Sequence, residues 1–407
     1  MNRIYLDHAS ATPVAKEVVD AMVPFFLDKF GNPSSLHQEG VEAKKALDES
    51  RASIAKILDI HADEIIFTGS ATESCNLALI GTVRAWKKAH LESTPHIIVS
   101  AIEHESILAT AKFLEGEGAL VSYLPVDIEG IVLLDTLPDL ITEHTVIVSI
   151  MLANNEIGTI QPVCEVAHII RSWKKEKRGV TRDVRAHGDQ IYPLLHTDAC
   201  QATNYIALRV PLLGVDLLTI NGAKIYGPKG IALLVVRRPV PIFPIIVGGG
   251  HEHTRRAGTE NIPLIVGFAH ALRLTESMRK EESNRLTILR DNLIGCLLQI
   301  KGVSINGSLS LRLPNNVHFS LLGADYEFLS LLFDKEGTSV STKSACNEMD
   351  SENSHVLIAM KQRGHLSPAS GIRITLGRAT VASDIETVLL QFSTIQNLAI
   401  ASDALSS

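Results

Sequence analysis

The sequence predicts an α/β protein with a mostly parallel sheet, joined to a smaller α+β domain. Short apolar runs alternate with amphipathic stretches of helical length as far as Val236. This alternation is typical of a mostly parallel sheet that is covered by helices on both faces. From about Asn261 a long helical stretch replaces the alternation. We therefore expect a large domain over residues 14–260 and a small domain formed by residues 1–13 and 261–407.

The predicted elements up to Val236 follow from hydrophobic periodicity and from breaks at Gly and Pro. Residues 4–13 form an extended arm that ends in Ala-Thr-Pro. Helices are predicted over residues 15–29, 41–58, 73–89, 106–115, 133–140 and 163–176. Strands are predicted over residues 64–67, 96–100, 119–124, 145–152, 194–197, 217–220 and 231–236. Ligands of such sheets bind beyond the carboxyl ends of the strands, which makes the residues after each strand informative.

From residue 261 onward the sequence predicts fewer strands and a longer helix. Its elements are a helical stretch over 261–300, a strand over 316–321, helices over 326–335 and 354–361, and a strand over 372–376. A final helix is predicted to be capped by Ser383 together with Glu386. Residues 178–192 are basic, polar and irregular, and we expect a surface insertion there.

The composition narrows the classes of function. The chain has 407 residues, 45% of them hydrophobic, and a formal net charge of -7. It contains no long basic block, so we expect no nucleic-acid partner. No apolar run is long enough to cross a bilayer and the N-terminus lacks a signal-peptide pattern, so we expect no membrane partner. These features favour a cytoplasmic protein whose partners are small molecules or other proteins.

The five cysteines predict neither a disulfide framework nor a metal site, because none are spaced as CxxC. Four of them lie in apolar surroundings and are expected to pack as small hydrophobic residues. Cys346 differs, because it lies in a long polar loop between Ser341 and Ser354. A thiol in such a loop is unusual, since free cysteine is usually buried.

The stretch Thr219–Gly230 contains the residue most suited to covalent chemistry. Lys224 lies between two apolar runs and beside a Gly-Pro turn, so its position is fixed by the fold. A lysine held near other cations or in a dry pocket loses its proton and can form a Schiff base with a carbonyl. We therefore predict that Lys224 binds pyridoxal phosphate, although most lysines beside glycines belong to ordinary surface turns.

Other residues after strands predict the rest of a site. Ala71 and Thr72 open a helix whose free amides suit a phosphate, although an ordinary helix cap at Thr72 is the better explanation of this stretch taken alone. Asp198 suits a pyridinium nitrogen, with a structural ion pair as the alternative. His104 suits stacking and proton transfer, or a structural role. Arg373, in an apolar strand, suits a substrate carboxylate or an internal salt bridge.

Two amides complete this set of candidates. Asn155 and Gln201 follow strands and can hydrogen-bond a ring hydroxyl, or they can be satisfied within their own loops. Together the candidates supply a carbonyl-capturing lysine, a phosphate cradle, an acid for a ring nitrogen, a carboxylate clamp and an exposed thiol. That combination indicates amino-acid chemistry on pyridoxal phosphate.

The sequence resembles the NifS/IscS-type cysteine desulfurases of the class V aminotransferase group. The resemblance implies the type I pyridoxal-phosphate fold, with a mostly parallel seven-stranded sheet in the large domain. The shared stretches occur in the family's order and cover nearly the whole chain. They are Tyr5–Pro13, Phe30–Pro33, Phe67–Ser74, Glu103–His104, Asn154–Gly158, His196–Gln201, Lys224–Gly230, Gly248–His251, Gly258–Asn261, Ser344–Cys346 and Ile372–Arg378.

The resemblance also implies a role for each candidate. Lys224 would be the Schiff-base lysine. His104 would stack on the cofactor ring, Asp198 would pair with its nitrogen, and Asn155 and Gln201 would contact its hydroxyl. Ala71, Thr72 and Asn221 would bind the cofactor phosphate. Thr259 from the other subunit of a dimer would help them.

The substrate and sulfur residues follow from the same resemblance. Asn155 and Arg373 would bind the substrate, Arg373 through the carboxylate of L-cysteine. Cys346 would take the sulfur as a persulfide, leaving alanine, and pass it to an acceptor such as an iron–sulfur scaffold or an enzyme of tRNA or cofactor thiolation. Lys343 is a candidate for lowering the pKa of the Cys346 thiol.

Two features depart from the family pattern. The family commonly has Ser-Gly-His before the Schiff-base lysine, whereas this chain has Asn221-Gly-Ala223. Asn221 can still form a hydrogen bond to a phosphate, but Ala223 cannot, so we expect weaker cofactor binding. The insertion at 178–192 also departs from the pattern, either as a partner-binding loop or as a neutral surface feature.

Three other functions compete with the desulfurase. A selenocysteine lyase shares the fold and the cofactor, an aminotransferase needs no loop thiol, and a non-catalytic homologue would only bind a partner. The long loop around Cys346 favours the desulfurase, because delivery of a persulfide needs reach. The joint presence of Lys224, Asp198, Arg373 and Cys346 argues against a non-catalytic protein.

Overall fold

The computed structural model describes residues 3–178, 191–342, 353–361 and 370–406, with side chains up to 394 in the last helix. Within these ranges the strands are β1 Ile4–Tyr5, β2 Ile65–Thr68, β3 His96–Ser100, β4 Leu120–Leu124, β5 Thr145–Ser149, β6 Leu194–Asp198, β7 Leu217–Asn221, β8 Ala232–Val236, β9 Val303–Ile305, β10 Asn316–Leu321, β11 Thr338–Ser339 and β12 Ile372–Thr375. The α-helices are α1 Lys16–Met22, α2 Pro24–Leu27, α3 Gln38–Leu58, α4 Ala71–Ala89, α5 Glu105–Gly116, α6 Leu137–Leu140, α7 Val163–Arg178, α8 Val210–Leu213, α9 Ile262–Leu297, α10 Tyr326–Lys335, α11 His355–Lys361 and α12 Ala382–Ser406.

The central element is a seven-stranded sheet with the order β2-β8-β7-β6-β5-β3-β4. The five strands from β7 to β4 pair in parallel, and β8 runs antiparallel to both β2 and β7. Five of the strands, β2, β3, β5, β6 and β8, are buried along their whole length. Such complete burial is expected of strands covered on both faces, so the predicted α/β class with a mostly parallel sheet is confirmed.

A second, antiparallel sheet of three strands has the order β12-β10-β9, and β1 pairs in parallel with β11. The core beside the three-stranded sheet contains Phe319, Phe333 and Phe392. The long helix α9 contributes to two cores: Phe268 packs against the seven-stranded sheet, whereas Leu293 packs with the three-stranded one. The division of the chain into domains at residue 260 stays a prediction.

Several predicted details are wrong. The helix expected over 15–29 is two helices, because Pro24 has no N–H to continue the hydrogen-bond ladder of α1. Helix α12 begins at Ala382, so Ser383 lies inside the helix rather than at its cap. Cys164 is exposed and Cys296 is half-buried, so only Cys75 and Cys200 of the four described thiols are buried. In the part of the chain that the structure describes, no helix has the length and apolarity to cross a membrane.

Candidate active site

A cavity of about 180 Å³ lies at the carboxyl ends of the parallel strands. It is lined by Ala9, Ser10, Ala71, Thr72, His104, Ser106, Met151, Ala153, Asn155, Asp198, Cys200, Gln201, Asn221, Lys224 and Arg373. Nine of the residues predicted from the sequence are therefore brought together: Ala71, Thr72, His104, Asn155, Asp198, Gln201, Asn221, Lys224 and Arg373. The fold explains this convergence, because parallel strands present their carboxyl ends at one edge of a sheet.

One wall of the cavity is the N-terminus of α4. Ser70 caps this helix, since its hydroxyl accepts a hydrogen bond from the Glu73 amide at 3.1 Å. The first amide bonded along the helix is that of Ser74, which donates to the Ser70 carbonyl. Helix geometry leaves the amides of Ala71 and Thr72 without intrahelical partners, and the helix dipole favours an anion beside them. The wall is thus suited to a phosphate.

The carboxylate of Asp198 closes β6 and is only 8% exposed. Its Oδ1 accepts a hydrogen bond from the Cys200 amide at 2.9 Å, and its Oδ2 lies 3.9 Å from the Cys75 sulfur. Burial, with Asp198 nearby, raises the pKa of the Cys75 thiol well above its usual value. Cys75 therefore stays protonated and does not compete as a second anion, so Asp198 is placed to face a cationic ring nitrogen.

Lys224 ends a short 3₁₀ turn that follows β7. Asn221 caps this turn, because its Oδ1 accepts a hydrogen bond from the Ala223 amide at 3.0 Å. The Lys224 amine donates to the carbonyl of Ala9 at 2.6 Å and also to the carbonyl of Ser10. The lysine is therefore positioned in the cavity by the N-terminal arm, as well as by the turn that carries it.

Arg373 lies in β12 and is 2% exposed. Its Nη2 donates to the Asp7 carboxylate at 2.8 Å and to the Ser10 hydroxyl at 2.7 Å, and its Nη1 donates to the Asn155 carbonyl at 3.0 Å. Among the described residues its Nε has no hydrogen-bond partner. The internal salt bridge considered from the sequence is thus present, and the guanidinium also lines the cavity.

The ring of His104 is oriented by Ser106. The Ser106 amide donates to Nδ1 at 3.0 Å, and the Ser106 hydroxyl lies 2.9 Å from the same nitrogen. Because Nδ1 accepts from an amide, the neutral ring carries its proton on Nε2. His104 is also the cap of α5, so the residue predicted to stack on a cofactor is fixed in both position and tautomer.

Glu103, just before His104, is fully buried behind the cavity. Its Oε1 accepts hydrogen bonds from the Ser100 hydroxyl at 2.6 Å and from the Met151 amide at 2.7 Å. Burial, together with the nearby charge of Asp198, raises the pKa of the Glu103 carboxyl to about 8. This carboxyl joins the ends of β3 and β5 and so supports the loops that carry His104 and Asn155.

Of the remaining predicted site residues, Thr259 is the one that the structure describes. Thr259 is exposed and does not line the cavity, so its role toward another subunit stays a prediction. Cys346, Lys343 and most of the insertion at 178–192 lie outside the described residues. Ser10 and Ser106 also line the cavity, and neither was predicted from the sequence. Ser10 reaches the site from a distant part of the chain, and its only signal was its place in the arm that precedes Thr12-Pro13.

Comparison with known proteins identifies the family of this chain. The model of the aminotransferase class-V family matches residues 4–388. The cysteine desulfurase IscS of Dictyoglomus turgidum is 43% identical over 387 residues, which cover 95% of this chain and 92% of that protein.

Two solved structures have the same fold. A NifS-like protein is 34% identical with a TM-score of 0.85, covering 97% of this chain and 100% of the other. A structure of SspA in complex with cysteine is 32% identical, with a TM-score of 0.75. The match covers 93% of this chain and 100% of the SspA chain. The chain therefore belongs to the class-V aminotransferase family and, within it, to the IscS/NifS group of cysteine desulfurases, whose cofactor is pyridoxal 5'-phosphate.

Proposed function

We propose that this protein is a pyridoxal-phosphate-dependent cysteine desulfurase that converts L-cysteine to L-alanine and transfers the sulfur to Cys346. The observation that carries the proposal is the convergence of Lys224, Asp198 and Arg373 on one cavity. These side chains supply a covalent anchor, a carboxylate for a ring nitrogen and a cation for a carboxylate. Together these functions suit the reaction of an amino acid on pyridoxal phosphate.

The residues present fit the cofactor. Asn155 is 7% exposed and lines the cavity, and its Oδ1 has no hydrogen-bond partner among the described residues. A buried acceptor without a donor is costly, and the ring hydroxyl of pyridoxal phosphate supplies such a donor. The amides that open α4 suit the phosphate, with Asn221 beside them on the same cavity. Gln201 also lines the cavity, while its Nε2 donates to the Ala9 carbonyl at 3.0 Å.

When bound, the cofactor supplies an electron sink for the amino-acid substrate. The chain's own residues do the rest. Lys224 anchors the cofactor and can carry a proton at Nζ. Asp198 keeps the ring nitrogen protonated, and His104 lies against the cavity with a proton on Nε2. Arg373 and the N-terminal arm hold the substrate carboxylate.

The sulfur step that we propose is redox-balanced. The Cys346 thiolate attacks the sulfur of the substrate, an S–S bond forms and the C–S bond of the substrate breaks. The β-carbon then takes up a proton, so that L-alanine leaves and Cys346 holds a persulfide. Lys343 is proposed to favour the thiolate, which is the reactive form.

We propose a cytoplasmic homodimer in which Thr259 of each chain contributes to the phosphate site of the other. Its support is that Thr259 is exposed and does not line the cavity of its own chain. The sulfur acceptor is proposed to be an iron–sulfur scaffold or an enzyme of tRNA or cofactor thiolation. The smaller domain, residues 1–13 and 261–407, would carry the Cys346 loop.

The experiment follows the sulfur and the carbon together. The holoenzyme is incubated with L-cysteine and a reductant, and alanine and sulfide are measured for the wild type and for Cys346→Ala, with Cys296→Ala as a half-buried thiol control. We expect equal amounts of both products from the wild type and from Cys296→Ala, and neither from Cys346→Ala. Transfer to a keto acid would indicate an aminotransferase instead. Activity on selenocysteine that survives Cys346→Ala would indicate a selenocysteine lyase.

A further inference from the structure

Ser10 touches both Lys224 and Arg373. Its carbonyl accepts a hydrogen bond from the Lys224 amine, and its hydroxyl accepts one from Arg373 Nη2 at 2.7 Å. Ser10 is half-buried and lines the cavity, whereas Arg373 is almost completely buried. A ligand that approaches Arg373 from the cavity therefore meets Ser10 as well.

The hydrogen bonds of Arg373 show why a second group is needed. Both hydrogens of Nη2 are committed, one to the Asp7 carboxylate and one to the Ser10 hydroxyl. One hydrogen of Nη1 is committed to the Asn155 carbonyl. Asp7 also offsets part of the positive charge at 2.8 Å. The guanidinium alone thus presents an incomplete binding surface to a carboxylate.

The Ser10 hydroxyl completes this surface. A hydroxyl that accepts a hydrogen bond keeps its own proton to donate. Among the described residues no acceptor takes that proton. Donation from Arg373 to the oxygen also polarises the O–H group, because chained hydrogen bonds strengthen one another. A carboxylate in the cavity is the acceptor that fits.

We infer that Ser10 is a substrate contact whose hydroxyl donates to the α-carboxylate of the amino acid, next to Arg373. This inference rests on the function proposed above, because it assigns a residue to the substrate of that reaction. Ser10 would thereby contribute to the preference for α-amino acids over simple amines.

The test compares two ligands that differ only in the carboxylate, L-alanine and ethylamine. Their dissociation constants are measured on the holoenzyme from the change in cofactor absorbance, for the wild type and for Ser10→Ala. We expect Ser10→Ala to weaken L-alanine binding about tenfold and ethylamine binding less than about twofold, as for loss of one hydrogen bond to a charged group. The KM for L-cysteine should rise by a similar factor, with kcat nearly unchanged.

Ser106→Ala is the matched control, because Ser106 lines the same cavity but contacts His104 rather than Arg373. Ser106→Ala should change the dissociation constants of L-alanine and ethylamine by equal factors. If Ser10→Ala does not fold, Ser10→Gly is measured in its place, because it also lacks the hydroxyl. The same change in the ratio of L-alanine to ethylamine affinity is expected. An unchanged ratio of alanine to ethylamine affinity in the hydroxyl-deleted protein would overturn the inference. A protein that binds L-alanine with this dependence on Ser10 but yields no alanine from L-cysteine would overturn the proposed reaction and leave Ser10 in place.

Discussion

The side-chain amine of Lys224 donates to the backbone carbonyl of Ala9 at 2.6 Å, so the N-terminal arm holds the lysine of the turn that follows β7. The same arm provides Asp7 and Ser10 to Arg373. One short segment therefore sets the distance between the proposed cofactor anchor and the proposed carboxylate site. The arm is in turn fixed by hydrogen bonds from the amide and the hydroxyl of Thr12 to the Ala223 carbonyl, both at 3.0 Å.

Replacing Asp198 by asparagine tests the electrostatic role of the carboxylate. Asn at this position keeps an oxygen to accept from the Cys200 amide but loses the negative charge. Without that charge the ring nitrogen loses its proton and the cofactor draws fewer electrons. We expect kcat for alanine formation to fall about 100-fold or more, as for loss of a buried electrostatic partner. A kcat within threefold of the wild type would contradict the role.

Replacing Glu103 by glutamine tests the effect of its raised pKa on stability. In the folded protein this pKa is about 8, above the value of 4.5 for an exposed glutamate. Between these pH values the folded state keeps a proton that the unfolded chain has released, so the free energy of unfolding falls as pH rises. The loss amounts to at most about 5 kcal/mol, at 1.36 kcal/mol for each pKa unit.

Glu103→Gln should therefore lose less stability than the wild type between pH 5 and pH 8, measured as urea midpoints. Glutamine keeps Oε1 for Ser100 and Met151 and carries no charge. The exposed Glu117 provides the matched control, and Glu117→Gln should follow the wild type at both pH values. Identical pH dependence in Glu103→Gln and the wild type would show that Glu103 titrates normally.

Cofactor retention tests the residues before Lys224. Asn221 uses its Oδ1 to cap the turn through the Ala223 amide, and Ala223 does not line the cavity. The phosphate therefore has fewer side-chain donors here than in relatives with Ser-Gly-His at these positions. We expect most of the cofactor to be lost on long dialysis, measured by visible absorbance per chain. Stoichiometric retention would contradict weak binding of the phosphate.

The hydrogen bond between Ser354 and Glu156 tests how the chain after Cys346 is attached to the site. The Ser354 hydroxyl donates to Glu156 Oε2 at 2.6 Å, and both residues are buried next to the loop of Asn155. Ser354→Ala removes a donor to a buried carboxylate, which costs about 1.5–3 kcal/mol. We expect a lower urea midpoint and a lower kcat with unchanged cofactor absorbance. Ser277→Ala, at an exposed serine of α9, should change neither.

The sequence predicted the parts of the site that depend on local pattern. Thr72, Asn155 and Lys224 follow strands and Asp198 ends one, and a parallel sheet brings strand ends together whatever the details of packing. Ser10 could not be found in this way, because its contact with Arg373 joins the two ends of the chain. The split between α1 and α2 was available from the sequence, since Pro24 cannot continue a helix.

The most direct test of the cysteine desulfurase assignment is alanine formation from L-cysteine by wild type, Lys224→Ala and Lys229→Ala. Lys229 is the matched control, because it belongs to the same stretch but is exposed. We predict equal alanine formation by the wild type and Lys229→Ala, and at least a 1,000-fold loss in Lys224→Ala, roughly the cost of removing a covalent catalyst. Alanine formation that survives Lys224→Ala, or its absence in the cofactor-loaded wild type, would contradict the assignment.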